Sequence, residues 1–318
     1  YNSEEFISES IESILKSKFL NYEVVIVDDG STDGTASIIK KYISKFNNLQ
    51  YVKKSHSGIA DSLNYGLKFC NGSWIARLDS DDLMTPNRLF RQTYLAQSNK
   101  DIGLIGSNYK RIDRFGKELF NYKLPTSNKK LINNLVNCKA FFPHSSAFLE
   151  KELVNFLGGY RTRVKNAEDW DLFIRISEYK KVVSINESLV SIRDHENQIT
   201  KKYLGKNQIY DARVALISHW YRINKNYDPI EKLDNKNFEK FKNYIYQNLD
   251  KRNFIGYLKV FNTNMSPFKK RIILTFKLLI FLLRPLDLYN FFMIIFFSKK
   301  INISIAKDYF DKYLSNSQ

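Results

Sequence analysis

A chain of 318 residues, 43% hydrophobic and 15% aromatic, is long and apolar enough to bury a core, which excludes a disordered or low-complexity protein. Its formal charge of +17 is lopsided: residues 201–318 hold 22 Lys and Arg against 9 Asp and Glu, whereas residues 1–200 hold 28 against 24. The basic third suits nucleic acid or an anionic membrane surface, and Cys70 and Cys138, lacking any CxxC or ligand neighbour, exclude a disulfide scaffold and suit two buried thiols in a reduced compartment.

No charged-then-apolar leader precedes Tyr1, so no signal peptide is expected. Asn2 and Glu5 have the spacing of a capping box, and Phe6, Ile7, Ile11, Ile14 and Leu15 follow at helical period. Tyr22–Val27 reads as a strand and breaks at once into Asp28-Asp29-Gly30-Ser31-Thr32-Asp33-Gly34. Asp33 with Gly34 is a turn pair. A helix with Ile38, Ile39, Tyr42, Ile43 and Phe46 on one side comes next, then a strand Leu49–Val52 and a helix through Leu63 and Leu67. Trp74–Leu78 is a further strand, cut off by Asp79, Asp81 and Asp82. This alternation predicts an α/β fold with a mostly parallel sheet wrapped on both faces.

Carboxylates at the ends of strands build no core. In an open α/β sheet, that edge is where ligands bind. Asp79 and Asp81 have the spacing to turn toward one hard cation, although an acidic turn capping the helix after Pro86 also explains them. That helix runs to about Gln97, and Asp113-Arg114-Phe115-Gly116 reads as a hairpin turn in a mixed or antiparallel extension. Glu168–Glu178 is a helix that opens on acids, and Val182–Ile185 and Ser188–Ile192 are two short strands. From about residue 201 the pattern becomes helical, to about Leu249, and residues 266–300 turn strongly apolar with basic punctuation. Arg284, Pro285 and Asp287 interrupt that run too soon for a spanning helix, leaving a segment in the membrane interface or a packed helical subdomain.

The acidic turns Asp28-Asp29 and Asp79-Ser80-Asp81, with Leu63-Asn64-Tyr65-Gly66-Leu67, Pro86-Asn87-Arg88-Leu89, Pro143-His144-Ser145-Ser146, Gly158-Gly159-Tyr160, Glu168-Asp169-Trp170 and Arg193-Asp194-His195, occur in the order of a known family. Over roughly 200 residues the chain resembles the family 2 glycosyltransferases. The resemblance implies a GT-A (Rossmann-like) catalytic domain over residues 1–200, whose first strand is missing ahead of Tyr1, followed by a basic helical region over 201–318. It implies a nucleotide-diphosphate sugar donor and a glycan or polyprenyl-linked acceptor, with inversion at the anomeric carbon. Asp81 then corresponds to a ligand of Mn²⁺ or Mg²⁺, with Asp79 and His195 beside it. Asp169 corresponds to the general base, with Glu168 and Asp171 as substitutes. Asp29 is expected at the nucleotide base, Asp28 as its neighbour at the strand end, and Tyr1 and Asn2 against the nucleotide.

His144 is read either as acceptor-pocket lining or as core. Ser62-Leu63-Asn64 stands where many relatives have Ala-Arg-Asn, so an arginine that touches the nucleotide is missing. No Gln-x-x-Arg-Trp occurs, which favours addition of a single sugar over processive synthesis. The expected location is cytoplasmic, peripheral on the inner membrane face, with no nucleic-acid partner. The alternative is a basic membrane- or nucleic-acid-binding protein on a degenerate nucleotide fold.

Overall fold

The computed structural model describes residues 1–196, 198, 206–262, 305 and 307. Two compact units form: residues 1–135 with 140–198, and residues 136–139 with 199–318. In the first unit the order is α1 (Ile7–Leu15), β1 (Val24–Asp28), α2 (Thr35–Ile43), β2 (Leu49–Lys53), α3 (Ile59–Leu67), β3 (Trp74–Ala76), β4 (Leu83–Met84), α4 (Arg88–Ser98), β5 (Ile102–Ile112), β6 (Glu118–Tyr122), α5 (Asn128–Val136), β7 (Phe148–Glu150), α6 (Lys151–Phe156), α7 (Glu168–Ser177) and β8 (Lys181–Arg193). A short 3₁₀ turn, His144–Ser146, precedes β7.

The longest ladders are parallel, β1 with β2 and β5 with β8. Short antiparallel ladders extend the second of them, giving the order β3-β7-β5-β8-β4 with β6 paired to β5. The apolar stripe of α1 closes over β1 and β2: Ile7 and Ile11 pack with Ile39 and Leu49. On the larger sheet Ala96, Ile105, Phe148 and Leu189 form a second cluster, where the rings of Trp74 and Phe148 stack 5.0 Å apart.

Three expectations change. The Asn2–Glu5 capping box does not form, because Asn2 Oδ1 accepts from the Thr32 amide at 2.9 Å and Glu5 pairs with Arg114, so α1 starts at Ile7 with no side-chain cap. The strand from Trp74 ends at Ala76, although the Arg77 amide still donates to the Ala147 carbonyl at 2.9 Å. The two strands expected between 182 and 192 are one, β8. Polar Asn186 and Glu187 interrupt the apolar pattern there, but Asn108 Nδ2 donates to Asn186 Oδ1 at 3.0 Å and β5 carries the pairing across a register shift.

The second unit holds α8 (Lys206–Lys225), α9 (Pro229–Lys232) and α10 (Asn235–Asn262), which runs beyond the Leu249 expected from the pattern. Tyr221 and Ile217 are buried in this unit, as are Phe238, Phe241 and Ile245. Asp228 caps α9, accepting the Ile230 amide at 3.0 Å, and pairs with Arg222 at 2.9 Å. Among the described residues no helix is long and apolar enough to cross a membrane. The apolar run 266–300 lies outside them. Cys70 and Cys138 are half-buried free thiols, each with its pKa raised by burial.

Candidate active site

At the C-terminal end of β1 the chain reverses through Gly30, whose φ of +78° brings the loop after β2 so close that a Cβ would stand 3.0 Å from the His56 nitrogen. Asp28, 2% exposed, accepts the Ser31 amide at 2.7 Å and the Tyr51 hydroxyl at 2.6 Å. Burial pushes its carboxyl up, but these hydrogen bonds outweigh that and leave it below the usual value. Its carboxylate therefore braces the turn.

Asp29 is engaged by the same loop. It accepts from Lys54 Nζ at 2.8 Å and from the Ser57 and Gly58 amides, each at 2.9 Å, and His56 Nδ1 lies 2.9 Å from its Oδ2. These bonds overcome burial and bring its pKa to about 2. The Tyr1 ring lies 4.5 Å from that of His56, and the Asn2 amide donates to Ser31 Oγ at 2.9 Å. Tyr1, Asn2 and Asp29 thus share one edge. His56 completes the edge, and sequence reasoning missed it because a lone histidine in a loop carries no pattern.

Ser3, also missed, joins the two acidic turns. Its amide donates to Thr35 Oγ1 at 2.8 Å and its hydroxyl meets Ser80 Oγ at 2.7 Å. In the second turn Asp79 pairs with Arg77 and accepts from Ser145 Oγ at 2.6 Å. Burial raises its pKa, but Arg77, His144 and Ser145 more than offset this. Asp79 was expected beside the metal; here both of its oxygens are taken by protein groups.

Asp81 has the opposite balance. Burial and the neighbouring Asp79 charge raise it, and His195 Nε2 lies 2.8 Å from its Oδ2. Asp82, 3% exposed, is raised further by burial and by both neighbouring acids, while accepting the Arg193 amide at 2.9 Å and the Ser145 hydroxyl.

Arg193 ties this region together, with no exposed surface. Its Nε donates to the Asp81 carbonyl at 3.0 Å, Nη1 to the Arg114 carbonyl at 2.7 Å, and Nη2 to Glu9 at 2.7 Å. Its guanidinium lies 4.9 Å from the Phe6 ring, and the His195 ring is 4.7 Å from that same ring. A five-donor planar fork can hold three elements at once, which a lysine cannot.

The third acid group opens α7. Burial raises Asp169 to about 6, the Trp170 amide at 2.7 Å partly opposes this, and the Asp79 charge adds to it. Glu168 is pushed to about 8, by burial first and then by Asp169. Asp171 is fully buried in a pair with Arg175 at 2.7 Å, which removes it as a substitute base. Arg175 in turn donates to the Leu157 and Gly159 carbonyls, both at 2.8 Å. Asn64 grips Tyr160 from the other side, accepting its amide at 2.8 Å and donating to its carbonyl at 2.7 Å. The Tyr160 hydroxyl, held 2.9 Å from His144 Nε2, is buried and feels the charges of Arg77, Asp169, Glu168 and Asp79. His144 is kept neutral, near 3, by burial and by Arg77.

The acids at 79–82 and 168–169 therefore face one another electrostatically, with Arg77 between them in sign. Among the described residues no three acidic, histidine or cysteine side chains gather as a metal set. Asp81 and His195 do suit a divalent cation as a partial shell: an oxygen and an imidazole nitrogen meet there, on a carboxylate crowded by like charge.

A family model described as Glycosyl transferase family 2 matches residues 1–156. EpsE of Bacillus subtilis (strain 168), named as a glycosyltransferase, is 30% identical over 207 residues, covering 64% of this chain and 73% of that protein. The O-antigen biosynthesis glycosyltransferase WbnJ of Escherichia coli is 28% identical over 210 residues, covering 64% and 80%. Among solved structures, TarS 1–349 of S. aureus in complex with UDP-GlcNAc superposes with a TM-score of 0.57 at 21% identity, covering 77% of this chain and 68% of that one. The mannosyltransferase PcManGT of Pyrobaculum calidifontis, in complex with GDP-Man and Mn2+, gives 0.58 at 19%, covering 97% and 84%. The two superpositions establish the GT-A fold. With the EpsE match covering most of that relative, the chain belongs to the family 2 glycosyltransferases and is a transferase enzyme.

Proposed function

We propose that the protein moves a single sugar, with inversion, from a nucleotide-diphosphate donor to a hydroxyl of a glycan or lipid-linked acceptor. The observation that carries this reading is a half-buried Asp169 raised to about 6 and facing the charge of the Asp79 turn. A group poised there is ionised at neutral pH yet basic enough to accept a proton.

The acceptor oxygen forms its bond to the anomeric carbon as the bond to the diphosphate oxygen breaks, and the hydroxyl proton passes to Asp169. Attack from the face opposite the leaving group gives inversion. Arg77 and Asp79 form an ion pair that would stand beside the donor diphosphate, and Tyr1 and His56 offer rings for the nucleotide base. Asp81 and His195 would hold Mn²⁺ or Mg²⁺, which supplies positive charge to the departing diphosphate. The donors bound by TarS and PcManGT support a nucleotide sugar as substrate without choosing the base. A basic third in residues 201–318 supports peripheral attachment to an anionic membrane. A degenerate fold used only for binding would have no need of acids held in such costly environments, so the binding-protein alternative is not favoured.

The test is sugar transfer and donor hydrolysis with Mn²⁺. Asp169→Asn is expected to lose about 10²–10⁴-fold in kcat with little change in donor affinity. Asp81→Ala is expected to lose the Mn²⁺ dependence. Wild-type rates in both would refute the mechanism.

A further inference from the structure

We propose that the β5–β6 hairpin is a bilayer-contacting element whose partner is an anionic lipid surface. Residues 110–123 hold five Lys and Arg against two acids. Lys110, Arg111 and Arg114 pair with Glu118, Asp194 and Glu5, so the positive charge the hairpin offers to a partner comes from Lys117 and Lys123. Phe115 at its tip is 89% exposed, and every residue of β6 is exposed, with Leu119 at 42%, Phe120 at 57% and Tyr122 at 38%. Single exposed apolar residues are ordinary; Phe120 and Tyr122, in ring contact on β6, together with the exposed Phe115 at the tip, make a cluster that calls for a partner.

The patch is stiff. Tyr122 stacks on Tyr109 with ring centroids 4.8 Å apart and 8° between planes, and Phe120 meets Tyr122 edge-on at 6.3 Å. Lys117 and Lys123, both exposed, flank it. Aromatic rings settle at the headgroup level of a bilayer, and each nearby Lys or Arg is attracted to anionic lipid. A second copy fits poorly, because it would set the exposed Lys117 and Lys123 of one hairpin against those of the other. A sugar platform fits poorly as well, because a ring face of Tyr122 is covered by Tyr109.

The hairpin is also joined to the candidate site. The Arg114 carbonyl beside Phe115 accepts from Arg193, which donates in turn to the Asp81 carbonyl. A tip seated in the headgroups therefore holds Asp81 two hydrogen bonds from the bilayer surface, where a membrane-anchored acceptor would present its hydroxyl. That last consequence rests on the proposed function; the surface contact does not.

The test uses the full chain, with vesicles of phosphatidylglycerol and phosphatidylcholine compared against phosphatidylcholine alone. In Phe115→Trp the introduced indole is expected to shift to the blue and to be quenched by brominated lipid beyond the wild-type signal of Trp74, Trp170 and Trp220, on the anionic vesicles only. Amide exchange over residues 113–122 should slow at least fivefold on those vesicles. Phe115→Ser with Phe120→Ser should abolish this protection, even where the C-terminal region still holds the chain on the vesicle. Quenching no greater than wild type, or equal on neutral vesicles, would overturn the proposal. So would protection that arises from a soluble oligosaccharide, or from raising the protein concentration without lipid. Donor hydrolysis in the same variants reports on the catalytic reading separately.

Discussion

At the scale of single residues, the site is governed by carboxyl groups whose environments push them apart. Asp29 is drawn down to about 2, Asp169 is raised to about 6 and Glu168 to about 8. If Asp169 accepts the proton, only its ionised form is active. The value of kcat/KM should then fall about tenfold per pH unit below pH 6 and level off above it, and a profile flat from pH 5 to 8 would remove Asp169 from that role. Glu168 makes a prediction about stability. Its folded pKa lies above the ordinary glutamate value, so its neutral form suits the fold and that contribution is lost as pH rises toward 8. Glu168→Gln should therefore raise the melting temperature at pH 8 more than at pH 5. Arg193 belongs here as well, since one buried guanidinium fixes the Asp81 backbone, the hairpin tip and Glu9. Arg193→Lys keeps the charge but loses the fork. We expect kcat to fall about 10–100-fold and Mn²⁺ binding, followed by spin resonance, to weaken in parallel, whereas a purely structural role would lower the melting temperature alone.

At the scale of elements, backbone approach decides more than propensity does. β5 passes so near the 3₁₀ turn that a Cβ on Gly106 would stand 2.1 Å from Phe142 Cδ1, in the middle of the ladder to β8. Gly106→Ala should lower stability by about 1–3 kcal/mol in denaturant titration, and Phe142→Leu in the same chain should recover part of it. Period and acidic punctuation made the existence of α2, α3, α4 and α7 legible in the sequence. Their partners were not. Asn186 and Glu187 look like a loop in the sequence, yet they are an unpaired irregularity inside β8, because the ladder to β5 breaks off at Ile185 and resumes at Ser188 opposite Asn108. Asn2 looks like a helix cap, yet its side chain accepts the Thr32 amide, 30 residues away in sequence, and α1 starts five residues later.

For the whole molecule, the two acidic turns and the start of α7 come from three separated stretches, and the proposed function requires them to be used jointly. Nucleotide choice is tested on the intact chain by a thermal-shift panel of UDP, GDP, dTDP and CDP with and without Mn²⁺. The cognate base at about 100 times its Kd should stabilise by about 2.7 kcal/mol, and four equal shifts would refute selective recognition by the Tyr1 edge.

The sequence by itself determined the alternation of strands and helices, the acids at strand ends and the lopsided charge, because apolar period and composition are local properties. Tertiary structure alone decided which acid stays ionised, that Asp28 and Asp171 serve the framework, and that Arg193, Ser3 and His56 stand beside the site. Burial and the sign of the nearest charge come from chain segments distant in sequence, and no window along the chain contains both partners.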